Sequence, residues 1–135
     1  MIIEMRFAVR YVETDKMGIA HHSNYAIWFE AGRTEFFKKI GIPYSKIEDD
    51  GVLLPLIDLK CSFKKPAMYE DEIIIKTKLE NMTNVKVTFS YELYNSFNNN
   101  LIATGETTHA WTDKNLKPIN IKKKLNKLYE ILMSI

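Results

Sequence analysis

A chain of 135 residues suits one folding domain spanning 1–135, and 46% hydrophobic with 27% charged residues is ordinary globular usage. A net charge of +2 is too mild for nucleic acid to be the main partner, and no apolar run approaches the roughly 20 residues that span a bilayer. The start, Met1-Ile2-Ile3-Glu4-Met5-Arg6, lacks the basic-then-apolar layout of a secretion signal, and the lone Cys61 excludes an internal disulfide, so a cytoplasmic setting is expected.

Met5, Phe7, Val9 and Tyr11 alternate with Glu4, Arg6, Ala8 and Arg10, the period of a strand with one buried face. Glu13-Thr14-Asp15-Lys16-Met17-Gly18 then reads as a loop whose glycine can take positive φ. A helix is predicted from Asn24 to about Ile40, with Ser23 or Asn24 as its cap and Gly41 and Pro43 ending it. Tyr25, Ala26, Ile27, Trp28, Phe29 and Ala31 cover nearly every side of its first two turns, which predicts a helix wrapped by other structure.

Four alternating runs follow: Ile57 to Phe63, Ile73 to Leu79, Val85 to Leu93, and Leu101 to Asp113 beyond the Asn98-Asn99-Asn100 turn. Strands without helices between them predict an antiparallel sheet, and with the buried helix an α+β fold. Leu125, Leu128, Tyr129 and Leu132 have helical spacing, so a short amphipathic C-terminal helix is expected.

The chemistry gathers between Tyr11 and Arg33. Asp15 stands in a glycine-bearing loop just ahead of a helix start, where unpaired amides carry partial positive charge. Such amides stabilise an oxygen that turns negative under attack. A nearby carboxylate can activate water or attack directly. Thioester hydrolysis needs little more, because its thiolate leaves without a strong general acid. No His, Cys, Asp and Glu cluster has metal-ligand spacing and no phosphate-cradling glycine loop appears, so neither metal nor cofactor is expected.

The spacing Thr14-Asp15-x-x-Gly18-Ile19-x-x-His22-x-x-Tyr25, followed by Trp28-Phe29-Glu30-x-x-Arg33, resembles the signature of the 4-hydroxybenzoyl-CoA thioesterase family. Its short-chain acyl-CoA branch, associated in some bacteria with the Tol-Pal envelope system, is the most similar. Phe63 to Glu72 resembles the turn between the family's second and third strands, and His109 to Asp113 with Lys117-Pro118 its last strand and tail. The resemblance implies a hotdog fold: a long helix wrapped by a curved five-stranded antiparallel sheet. It implies an acyl-CoA substrate and a homodimer or homotetramer with the site between protomers.

Carried over by position, Asp15 is the catalytic carboxylate, as nucleophile or as base for water, and His22 presents a backbone N–H, with its imidazole as a second possible contributor. Gly18 lets the loop turn, Tyr25 shapes the acyl pocket, and Lys64 and Lys86 are candidates for the phosphates of coenzyme A. His21 stands where the branch often has Tyr. Glu30 and Arg33 are expected to form an i,i+3 pair on the helix, and His109 to be a packed or interface residue. A carrier-protein thioesterase, another hotdog reaction such as dehydration, or a non-catalytic acyl-binding scaffold are the competing functions. Hotdog dehydratases place a His in the loop and an acid on the helix, whereas here the acid precedes Gly18 and the His follows it.

Overall fold

The computed structural model describes residues 1–135. Strand β1 spans Ile2–Ala8, with Ile3, Met5 and Phe7 turned toward the core. It ends earlier than the alternation suggests. Val9 is buried, but the chain then tightens into a single 3-10 turn over Tyr11–Glu13 and leaves Tyr11 in solvent. Helix α1 follows over Ser23–Lys39 and a short α2 over Tyr44–Asp49, the latter not foreseen. Then come β2 (Leu56–Phe63), β3 (Glu72–Met82), β4 (Lys86–Asn95) and β5 (Leu101–Ala110), and the chain closes with α3 (Ile121–Lys124) and α4 (Asn126–Met133).

All strand pairs are antiparallel, in the order β1-β3-β4-β5-β2, so β1 and β2 are the two edges. Period two sorts the faces. Ile73, Ile75 and Thr77 of β3, Val87, Phe89, Tyr91 and Leu93 of β4, and Ala103, Thr107 and His109 of β5 are buried beneath α1. Lys76, Lys78, Ser90, Glu92 and Glu106 alternate with them on the other face.

Helix α1 meets this layer with Tyr25, Trp28, Phe29, Gly32, Phe36 and Phe37. Phe29 stacks on Tyr91 with ring centroids 4.5 Å apart, and Phe36 and Phe37 meet Phe89 edge-on. The Phe29 ring occupies the space a Cβ on Gly105 would need, so the helix descends onto β5 only because that residue is glycine. Burial of α1 is one-sided in the protomer: Ala26 and Ile27 face outward, with Ile27 54% exposed. The expected all-round wrapping is therefore absent within one chain.

Neither Ser23 nor Asn24 caps α1. The N-cap position is His22, already in helical dihedrals. Ser23 Oγ instead pairs with His21 Nδ1 at 2.8 Å, and Asn24 Nδ2 donates to the carbonyls of Glu13 and His21. At the other end of the chain, α4 buries Leu128 and Leu132 against its own protomer.

Candidate active site

The loop that carries Asp15 is a small hairpin. The Thr14–Ala20 bridge closes its base, the Asp15 N–H donates to the Ile19 carbonyl at 2.9 Å, and the Gly18 N–H donates to the Asp15 carbonyl at 3.0 Å. Gly18 has φ +77°, left-handed backbone that glycine takes without strain. An outer brace comes from residues 67 and 68: the Ala20 N–H donates to the Ala67 carbonyl, and Ile19 bridges Met68.

Within this frame Asp15 Oδ1 accepts the Met17 N–H at 2.8 Å, while Oδ2 has no partner in the chain. One oxygen is held and the other is unpaired within the chain. The side chain lines a cleft of about 390 Å³ together with Met17, His21, His22, Tyr25 and Lys64, a size suited to a small-molecule substrate. The start of α1 opens into the same cleft. The His22 N–H donates to no acceptor in the chain. The His21 and His22 rings lie 4.1 Å apart.

The apolar wall is aromatic. Tyr25 is buried against Trp28 at 4.8 Å and meets Phe63 edge-on at 4.9 Å. Burial pushes the Tyr25 phenol above its usual range, with Cys61 adding to the shift, so the phenol stays neutral. Lys64 and Lys65 form the rim, tied through their amides to the Ile102 carbonyl at the start of β5. Asp15, Gly18, His22, Tyr25 and Lys64 thus gather in one region. Lys86 does not join them: it opens β4 opposite Ala110, at the far end of β5 from Phe63 and its partner Ala103, about 20 Å along the strand.

A larger, shallow depression of about 520 Å³ lies on the outer face of the sheet, among Lys60, Lys76, Lys78, Glu92 and Glu106. Its charges are mixed and no helix end opens into it, so it lacks the parts for acyl chemistry.

Two arrangements behind the site have no signal in residue spacing. Glu13 is only 3% exposed. Its carboxylate accepts the Arg10 N–H and the Trp28 Nε1–H, both at 2.8 Å, and faces the Arg10 guanidinium at 3.4 Å. Burial pushes its pKa up, but the Arg10 amide, the Trp28 indole and the Arg10 side chain together outweigh burial and hold it below the usual range.

Further along α1, Arg33 does not pair with Glu30 as expected. It turns inward, and Nη1 donates to the Tyr91 hydroxyl at 3.1 Å. Tyr91 meets Thr107 at 2.6 Å, Thr107 meets His109 Nε2 at 3.0 Å, and His109 Nδ1 lies 3.1 Å from the Leu54 carbonyl. Only one polarity satisfies this chain. Arg33 is a donor and Leu54 an acceptor, so His109 carries its proton on Nδ1. Burial, helped by the nearby Arg33 charge, pushes the His109 pKa down to about 4.

The family model described as the thioesterase-like superfamily matches residues 9–127. The chain belongs to that superfamily. A Bacillus subtilis protein provisionally named acyl-CoA thioesterase YneP is 40% identical over 116 residues, 85% of this chain and 83% of that protein. An Aquifex aeolicus protein with the provisional name of esterase is 38% identical over 120 residues, 89% of this chain and 91% of its own. The solved structure of a DHNA-CoA thioesterase from Staphylococcus aureus superposes with a TM-score of 0.94 at 30% identity, covering 98% of this chain and 89% of that one. The fold is therefore the hotdog, in its thioesterase form, and the superfamily member is a thioester hydrolase.

Proposed function

We propose that this thioesterase-superfamily protein hydrolyses acyl-CoA to free acid and coenzyme A, as a member of the 4-hydroxybenzoyl-CoA thioesterase family and of its short-chain, Tol-Pal-associated branch. The observation that carries the reading is the meeting of Asp15, with one free carboxylate oxygen, and the acceptorless His22 N–H on the same cleft. The thioester carbonyl oxygen takes the His22 N–H, and charge building on it is stabilised by the amino end of α1. Asp15 Oδ2 then either attacks the carbonyl carbon, giving a mixed anhydride that water opens, or removes a proton from an attacking water. In both routes the C–S bond breaks and the thiolate leaves with the electron pair, to be protonated as free thiol.

Lys64 suits the phosphates of coenzyme A at the rim of this cleft. Lys86 reaches a cleft only through a second copy. Edge strand β2 leaves Leu56, Ile57, Leu59 and Phe63 at 41–54% exposure, an apolar row with free backbone groups of the kind that pairs with another chain. Antiparallel pairing of two β2 edges sets the Lys86 end of one sheet toward the Lys64 rim of the other, and makes the homodimer the active form, alone or within a homotetramer.

The test is a substrate panel from acetyl- to palmitoyl-CoA with benzoyl-type thioesters, assayed for released thiol. Asp15→Asn should lower kcat by about 10²–10⁴-fold with an unchanged melting temperature. Full activity in that variant removes the mechanism, and turnover of carrier-protein thioesters alone moves the substrate to that class.

A further inference from the structure

Glu13 is the only carboxylate in the buried set. Burying a carboxylate is unfavourable until its partners offset the lost hydration, and an apolar residue of similar volume would fill the spot at less cost. An apolar residue would not supply direction. The Glu13 carboxylate holds the Trp28 indole on the second turn of α1 and the Arg10 amide at the end of the β1 segment. Its backbone carbonyl accepts the His21 N–H at 2.8 Å and Asn24 Nδ2 at 2.9 Å.

Four segments are therefore fixed to one residue: the incoming strand, the return of the Asp15 hairpin, the first turn of α1 and its second turn. Asp15 lies two residues beyond this post on one side of the hairpin. His22 is one residue beyond His21 on the other. The indole bond also ties the second turn of α1, the helix that follows His22, to the same residue.

We propose that Glu13 is a positioning residue for the reaction: it sets the distance and angle between the Asp15 carboxylate and the His22 N–H without touching substrate. This rests on the thioesterase reading above. Displacing reacting groups by about 1 Å is enough to cost about 10²-fold in rate, so a clamp of this kind is read in kcat rather than in substrate affinity.

The test uses Trp28→Phe, which removes only the indole N–H and keeps an aromatic ring on Phe7 and Tyr25, alongside Glu13→Gln, which removes the charge. Both are assayed on the best acyl-CoA of the panel, well below their melting temperatures. The expected result is a kcat lowered by about 10- to 100-fold with KM little changed. Combining either with Asp15→Asn should give no further loss, because the clamp acts through Asp15. A folded Trp28→Phe with wild-type kcat overturns the proposal even if Glu13→Gln fails to fold, and so does a double variant slowed by the product of the two single effects. Full activity in Asp15→Asn removes the Asp15 assignment and this proposal with it, whereas a slow Asp15→Asn beside a folded Trp28→Phe of wild-type kcat overturns the clamp alone.

Discussion

His109 and Glu13 give the chain two separable responses to acid. The folded pKa of His109 is about 4, below its ordinary 6.5, because its site rejects the charged form. Between those values the unfolded chain binds a proton that the folded chain does not, so stability falls as pH drops from about 6.5 to about 4. The full difference is on the order of 3 kcal/mol. Glu13 acts lower: its folded pKa is depressed below 4.5, so its contribution is complete above that value and is lost as pH falls through the folded pKa. Thermal melts from pH 7 to pH 3 should show His109→Gln flattening the upper part of the decline and Glu13→Gln the lower part. At this scale the sequence was legible in part. Asp15 and Gly18 stood out because loop chemistry and the turn residue are local. Glu13 did not, because its significance comes from Trp28, fifteen positions away, and a carboxylate in a turn looks the same in sequence whether solvated or sealed. Arg33 misled for a related reason: spacing puts Glu30 within reach on the helix, but Tyr91 lies under the other side.

Elements were easier to read than their ends. The four alternating runs became β2 to β5 within a few residues, and the greasy segment became α1, because periodicity reports which face is covered. The cap was misread because Asn24 is drawn to the Glu13 and His21 carbonyls, a tertiary bond that competes with the local one. Helix α2, six residues long, is too short for periodicity to register. The contact between α1 and β5 is the element-level feature most exposed to mutation. Gly105→Ala drives a methyl into the Phe29 ring within a packed layer. A loss of about 1–3 kcal/mol is expected, measured by denaturant unfolding, with α1 lifted and catalysis reduced alongside stability.

For the whole molecule, the outward Ile27 and the apolar β2 edge are the unfinished parts of a single chain. Leu59→Lys, which charges the middle of that edge, should turn the proposed dimer into monomers in sedimentation and abolish hydrolysis while α1 stays folded by circular dichroism. Retained activity in a monomer would make the cleft self-sufficient. The strand order carries another consequence, in the time domain. Ile2 pairs with Lys78 and Ala8 with Glu72, so the first strand must await a partner more than sixty positions downstream, whereas β3, β4 and β5 form consecutive hairpins. Closing such long loops is entropically slow compared with zipping neighbours. During refolding the meander of β3 to β5 therefore matures first, and amides near Asp15 gain protection from solvent exchange only when β1 arrives, so catalytic competence returns as one of the final events.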